Sequence, residues 1–495
     1  MIKNLTILGG GNAGLMVALY LRASYPNMGI TLIKSEKIGT IGVGEGSTEH
    51  WDIFAKAVNI SNAEIINEAG ATLKAGIKFE NWHGDGTSYY HSLPEYLSFV
   101  SGHTGTPYTM MRLIGEGAEP GTLHWDLAMQ GYHTEPLAEN FSQFHFDSEK
   151  LNSLFLRKCS ERNINIIDAE IIDAILDQDG FIKSIVDIDN NQYTADFFID
   201  SSGFKRVISS KLGAKWVDWS EYLPMNSAIA FPSPYEEKIP PYTLAKALSS
   251  GWHWRSPVQD RFGNGYVFSD AFISEDQAIA EIQKEFTDPI KIARKVNFIS
   301  GKVDRFWIKN CVSVGLSSSF VEPLEASSIS TTVQQSRVLA FALSTWDRND
   351  TVTPKYYNKI FDDVMINILD FIQLHYLTER DDSEFWRWCK FNLKLTEFNA
   401  EHLPIFKTNF INQLSLPMSN YNIYDTLNWV QVMHGLRMFD ADNIKNLYDN
   451  LHGHLTKLSQ YQLDSVPTRD NNTFYTSREA VNIVKGRMNR DHYRL

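Results

Sequence analysis

Residues 5–21 read Leu5-Thr6-Ile7-Leu8-Gly9-Gly10-Gly11-Asn12-Ala13-Gly14-Leu15-Met16-Val17-Ala18-Leu19-Tyr20-Leu21, and this stretch decides the fold. The apolar run Leu5 to Leu8 predicts a buried strand, and the apolar-periodic run Leu15 to Leu21 predicts a helix. Between them Gly9 permits a tight turn, Gly11 lets the backbone approach a pyrophosphate, and Gly14 lets the helix pack closely on the strand. The free N–H groups and the dipole of the helix N-terminus favour negative charge there. A glycine-rich turn in an ordinary α/β domain has the same composition. The strand before it and the helix after it make it the start of a dinucleotide-binding unit.

Working outward, Gly29 to Ile33 predicts the second parallel strand. A ribose-binding acid is expected about 20 residues beyond the glycines. Lys34 stands at the strand end, and Glu36 is the nearest carboxylate and the candidate. Next comes Thr40-Ile41-Gly42-Val43-Gly44-Glu45-Gly46-Ser47-Thr48, with three glycines at period two. Such a pattern suits backbone pressed against a flat ligand or a second helix start, and also a flexible loop. Further on, Phe197-Phe198-Ile199-Asp200-Ser201-Ser202-Gly203 is a buried strand running into a polar glycine turn. Asp200 and this turn form a second cofactor-facing edge, which fits a flavin-dependent two-dinucleotide fold better than a plain dehydrogenase. A short strand at Val312 to Leu316 precedes a helix beginning at Ser330, whose N-terminus could receive an anion or flavin oxygens.

A chain of 495 residues exceeds one core, so more than one domain is expected. Apolar residues at 43% and charged residues at 21% are those of a soluble globular protein. A net charge of −13 without a basic run argues against a nucleic-acid partner. Cys159, Cys311 and Cys389 are far apart and form no CxxC, so neither a disulfide framework nor a metal site is expected. No run of 18 apolar residues and no leader pattern stand out, so the expectation is a cytoplasmic protein with no membrane span.

The remaining segments supply candidates rather than assignments. Lys74-Ala75-Gly76-Ile77-Lys78-Phe79-Glu80-Asn81-Trp82 holds two lysines that share a side on a strand and neighbour one another on a helix. Most lysines are solvated surface groups. Residues 83–140 have weak periodicity and read as an irregular, substrate-facing insertion. Phe144-His145-Phe146-Asp147 precedes a helix from Ser148 to Arg162, capped by Asp147 or Ser148. A meander follows, with turns at Asp179-Gly180 and Asn190-Asn191. In Trp252-His253-Trp254-Arg255-Ser256-Pro257 the two tryptophans share one face of a strand, as an aromatic wall or as core. Helical patterns dominate from residue 331 to 495.

Taken together, these motifs resemble the flavin-dependent halogenases of the tryptophan halogenase type, from the N-terminus to about residue 390. The glycine turn at 9–14 resembles the family's opening motif, and IGVGEGST at 41–48 its second flavin loop. WHWRSP at 252–257 resembles the WxWxIP signature with Ser256 in place of isoleucine, and FVEPLEASS at 320–328 the segment of the active-site glutamate. KAGIKFENW at 74–82, ADFFIDSSGF at 195–204, GNGYVFS at 263–269 and HYLTERDDSEFW at 375–386 fit the same pattern.

The resemblance implies an α/β, FAD-binding, Rossmann-like two-dinucleotide-binding fold with a β-rich substrate region and a helical C-terminal cap. An FAD-binding and halogenation core would span 1–330, with the insertion at 83–140 and the substrate-facing region at 204–310. A helical region at 331–495 would cover the substrate site. Lys74 matches the catalytic lysine and Lys78 a structural one; Glu325 matches the active-site glutamate. Ser327 and Ser328 match the halide-holding positions, and Ala13, Ser35, Ile41, Val43, Gly46, Leu316 and Ile329 match flavin contacts. Trp252 and Trp254 would separate flavin from substrate.

The implied reaction uses FADH2 from a separate flavin reductase, O2 and halide to make hypohalous acid. This passes to Lys74, either as a haloamine or held by hydrogen bonding, and halogenates an electron-rich aromatic such as an indole, phenol or pyrrole. Glu325 would converge with Lys74 on one cavity and stabilise the cationic ring intermediate. A flavin-dependent aromatic hydroxylase is the alternative. Ala326-Ser327-Ser328 replaces the usual Ser-Thr-Gly and would reshape the anion cradle, so chloride is not assumed, and bromide or iodide is the expected halide. The C-terminal hundred residues match no tryptophan clamp, so free tryptophan is not the expected substrate. A homo-oligomer is a possible assembly.

Overall fold

The first apolar run becomes the strand Asn4–Leu8, and its glycine turn leads into the helix Asn12–Ser24. These are features of a computed structural model that describes residues 2–38, 45–92, 110, 133–134, 143–236, 238–411, 415–416, 421–451, 474–475, 478–482 and 484–485. Ile41, Val43 and most of the 83–140 insertion lie outside the described residues. The chain divides into two compact units. One comprises Met1–Gly70, Phe146–Trp219 and Ile299–Ile366, and the other Ala71–His145, Ser220–Phe298 and Asn367–Leu495.

The first unit is built on a six-stranded sheet. Its strand order is Trp307–Ile308, Cys311–Ser313, Phe197–Asp200, Asn4–Leu8, Gly29–Lys34 and Asn165–Asp168. All neighbours are parallel except the first pair. Leu8 stands opposite both Asp200 and Ile33, so the ends of these strands lie side by side. Leu5, Ile7, Leu32, Ile33, Phe197 and Phe198 are buried, the continuous apolar reading expected of parallel strands covered on both faces. Helices Ser148–Glu161 and Ser327–Leu343 pack on Asn12–Ser24. The expected meander is Ile171–Leu176, Ile182–Asp187 and Gln192–Tyr193, and Gly180 and Asn190 take positive φ at its turns.

Asp147 is the cap of its helix, accepting from the N–H groups of Glu149 and Lys150. The helix expected from Ser330 starts three residues earlier, at Ser327. The reason is local: the single turn Pro323–Glu325 ends on Ala326 in a left-handed conformation, and the helix begins at once.

The second unit holds a seven-stranded sheet ordered Arg294–Asn297, Ser227–Pro234, Arg261–Phe268, Gly251–Pro257, Tyr242–Ala247, Gly76–Glu80 and Ser88–Ser92. Only the Tyr242–Ala247 and Gly76–Glu80 neighbours are parallel. Two of the motif segments are tied to this sheet by their indoles. Trp82 Nε1 donates to the Ala245 carbonyl and Trp386 Nε1 to that of Leu248. Arg380 donates to the Asn81 carbonyl and to Asp382, with its guanidinium over the Trp386 ring. Helices Glu384–Asn392, Glu397–Phe406, Thr426–Gly435 and Ala441–Asp449 follow. Among the described residues no helix is long and apolar enough to cross a membrane.

Candidate active site

In the first unit the glycine turn is built by exclusion. A Cβ on Gly9, at φ +126°, would lie 2.1 Å from the Ser201 carbonyl oxygen, and one on Gly14 would lie 2.1 Å from that of Gly9. A Cβ on Gly10 would strike the Lys34 side chain. Of the four glycines of this turn, Gly11 alone would let an added Cβ meet nothing within 4 Å. Gly11 is also the N-cap of Asn12–Ser24 and supplies no side-chain cap. The first turn therefore presents backbone N–H groups to open space, which suits the pyrophosphate of FAD. Ala13 touches the turn that carries Leu316, where a Cβ on Gly315 would come within 2.6 Å.

The other first-unit candidates fall around this turn. Ser35 follows the second strand, and exposed Glu36 pairs with Lys34 at 3.2 Å. Both oxygens of buried Asp200 are engaged within the protein, by Ser202 on one and by the Ile208 N–H and Ser209 on the other. Asp200 thus shapes the turn at Ser201 that presses on Gly9. Gly46 is half-buried in the short strand Glu45–Gly46. Just beyond it, the Thr48 hydroxyl lies 2.5 Å from that of Ser330, one residue past Ile329.

Three residues around the turn were not singled out in the sequence. Asn152 donates to the Gly10 carbonyl at 2.9 Å and to Asn12 Oδ1 at 3.1 Å. Asn12 in turn reaches Glu45. Burial raises the Glu45 carboxyl above its ordinary range, against polar contacts with Ser148 and Asn12. Each of these asparagines looked like an ordinary polar residue until the fold joined positions 10, 12 and 152.

Glu325 is fully buried, as is Glu322 of the same segment. Ala326 holds φ +55°, a region that costs a non-glycine residue roughly 1–2 kcal/mol. It turns the chain so that Ser327, buried, and Ser328, exposed, open the first turn of the long helix, again without a side-chain cap. The first turn of a helix presents backbone N–H groups of the kind that suit an anion.

The second unit carries the lysines and tryptophans. Lys74 is 1% exposed, and its N–H donates to the Gln143 carbonyl at 3.1 Å. Lys78 lies on the strand Gly76–Glu80 opposite Tyr90 and Leu244. Burial pulls its basicity down, but the Glu80 hydrogen bond, with Tyr242 and Tyr90 nearby, more than offsets this and raises it. Trp252 and Trp254 share a face of their strand, as alternation requires, with ring centroids 6.3 Å apart. His253 points the other way, and burial lowers its pKa to about 3. No cluster of His, Cys, Asp or Glu suited to a metal ion occurs among the described residues.

Trp254 has its place because Gly265 has no side chain: a Cβ there would lie 1.8 Å from the indole. Gly265→Val is expected to push the indole out and cost about 1–3 kcal/mol. A lower Tm with red-shifted tryptophan emission would show it; an unchanged spectrum and Tm would refute the seating.

With this geometry in view, comparison with known proteins is decisive. A family model described as tryptophan halogenase matches residues 4–451. The tryptophan 6-halogenase ThaL of Streptomyces albogriseolus is 30% identical over 462 residues, covering 86% of this chain and 85% of its own. The 7-chloro-L-tryptophan 6-halogenase KtzR of Kutzneria sp. is 31% identical over 444 residues, covering 82% and 85%. The solved structure of Xcc4156, a flavin-dependent halogenase from Xanthomonas campestris, superposes with a TM-score of 0.80 at 26% identity, over 94% of this chain and 97% of that one.

Proposed function

The chain belongs to the tryptophan halogenase family of flavin-dependent halogenases, and we propose that it halogenates an electron-rich aromatic through an oxidised halogen carried to Lys74. The observation that carries this reading is the burial of the Lys74 amine at 1% exposure, at a position matching the family's catalytic lysine. Bound FADH2, delivered by a separate reductase, would supply with O2 the oxidation of halide to hypohalous acid. Gly9, Gly10, Gly11, Ala13 and Gly14 would hold its pyrophosphate, and Ser35, Glu36, Gly46, Leu316 and Ile329 would line its other parts.

The protein's own residues do the rest. The backbone N–H groups of Ser327 and Ser328 receive the halide. The Lys74 amine binds the oxidised halogen, as a haloamine or by hydrogen bonding, and directs it to a ring carbon. The Glu325 carboxylate stabilises positive charge as it develops on the ring. Trp252 and Trp254 shield the organic substrate from the flavin and keep water from the oxidant.

Incubation with a flavin reductase, NADH, FAD and a library of indoles, phenols and pyrroles tests this by mass spectrometry. Chloride, bromide and iodide are supplied separately. The expected product exchanges hydrogen for halogen; a product with one added oxygen would establish the hydroxylase instead. Bromide or iodide is expected to outperform chloride. Ser328→Gly, which restores the family's usual residue, should raise chloride use relative to bromide by about tenfold, some 1.4 kcal/mol. An unchanged halide ratio would remove Ser328 from halide selection.

A further inference from the structure

The segment Phe144-His145-Phe146-Asp147 contains a histidine that the mechanism above does not use. Thr72 and Leu73 form the short strand that immediately precedes Lys74, and they pair antiparallel with His145 and Phe144. The His145 ring is fully buried. A threonine hydroxyl stands on each side of it: Thr72 Oγ1 lies 3.3 Å from Nδ1, and Thr243 Oγ1 lies 3.0 Å from Nε2.

The protons in this chain of contacts can be placed by counting donors. Thr72 Oγ1 lies 2.8 Å from the Pro257 carbonyl oxygen. A carbonyl only accepts, so the one hydroxyl proton of Thr72 goes to Pro257. Thr72 can then only accept from His145, which puts the ring proton on Nδ1. The other nitrogen, Nε2, is bare in the neutral ring and accepts from the Thr243 hydroxyl. Both ring nitrogens are satisfied with no charge present. Burial first, and the charge of Lys74 second, push the basicity of this ring well below that of an ordinary histidine.

The chain of hydrogen bonds joins four strands, Thr72–Leu73, Phe144–Phe146, Tyr242–Ala247 and Gly251–Pro257. Thr243 lies in Tyr242–Ala247, whose parallel neighbour is Gly76–Glu80, two residues beyond Lys74. Pro257 ends the strand that carries Trp252 and Trp254. Main-chain bonds from Lys74 to Gln143 and from Ala75 to Pro241 fasten the same corner, the latter at 2.6 Å. We propose that His145 is a positioning residue for Lys74: a neutral imidazole that pins the short strand leading into Lys74 to the tryptophan-bearing sheet, without placing a second cation beside it. The proposal rests on the role given to Lys74 above.

Two measurements test it. The first needs no turnover: nitrogen NMR of protein labelled with 15N-histidine, with the His145 signals assigned by their loss in His145→Asn. The expected signature is the Nδ1–H tautomer, unchanged from about pH 5.5 to about pH 8.5. An Nε2–H tautomer, or titration near the ordinary value of about 6.5, would overturn the proposal. The second compares His145→Leu with His145→Asn, whose amide can still donate to Thr72. In the leucine variant kcat is expected to fall about tenfold to a hundredfold, with KM and FAD affinity within about twofold of wild type. The asparagine variant should recover most of the loss. Wild-type kcat in the leucine variant, or a loss that asparagine does not relieve, would sink the proposal alone. Turnover surviving in Lys74→Ala would sink the reading of Lys74 with it.

Discussion

Replacing Lys74 by methionine is expected to lower halogenation about 10²- to 10⁴-fold, the range associated with losing a positioned catalytic side chain. Methionine keeps an unbranched apolar stem of similar length, so the interior site stays filled. Lys74 is 1% exposed, and it is placed by backbone bonds from its own N–H and that of Ala75, which the substitution leaves intact. The folded structure and FAD binding should therefore survive, the latter read by flavin absorbance after gel filtration. Lys78→Met is the companion variant. Lys78 pairs with Glu80 at 3.2 Å and is about one-fifth exposed, so its loss should cost stability more than turnover. Near-wild-type product formation by the Lys74 variant would end the lysine-carrier mechanism. Equal losses in both variants would show that the segment, not the amine at 74, matters.

The second large effect concerns stability against pH. Asp370 is 3% exposed in the helix Val352–Leu374, and burial raises its carboxyl to about 7, against a weaker opposing hydrogen bond from Thr396. In the unfolded chain an aspartate titrates near 3.9. Because the folded value is the higher one, folding favours the protonated form. No penalty exists below about pH 4; the penalty grows as pH rises and is complete above about pH 7. A difference of about three pH units corresponds to about 4 kcal/mol. Asp370→Asn removes the ionisation, so it should be close to wild type in stability near pH 4 and increasingly more stable toward pH 8. Melting temperatures across that range check it. A Tm difference independent of pH would mean that Asp370 titrates alike in the folded and unfolded chain and that burial does not raise its carboxyl.

How much of this was legible beforehand differs from element to element. The glycine turn at 9–14 could be read because its requirements are local: a strand, three residues free of side chains, and a helix in one continuous stretch. The shared face of Trp252 and Trp254 followed from strand alternation alone. The start of the long helix was placed late because its cause, a left-handed Ala326, is not an ordinary residue choice for that conformation. Asp200 was expected to face a cofactor, and its oxygens prove to be spent on Ser202, Ile208 and Ser209. Those partners lie just downstream, but only the folded turn brings them back onto the carboxylate.

The order of apolar runs and glycines by itself determined the α/β class and the strand–turn–helix start, because those depend on residue type at short spacing, and the motif segments carried the resemblance to the family. Tertiary structure alone decided that Lys74 is an interior residue, that His145 stands between the Thr72 and Thr243 hydroxyls, and that burial raises the Asp370 carboxyl. Each of these states is set by desolvation and by partners from distant segments: Thr72 meets Pro257 across 185 positions, and His145 meets Thr243 across 98. Charge and proton placement follow the surroundings of a group, and those surroundings exist only once the chain has folded.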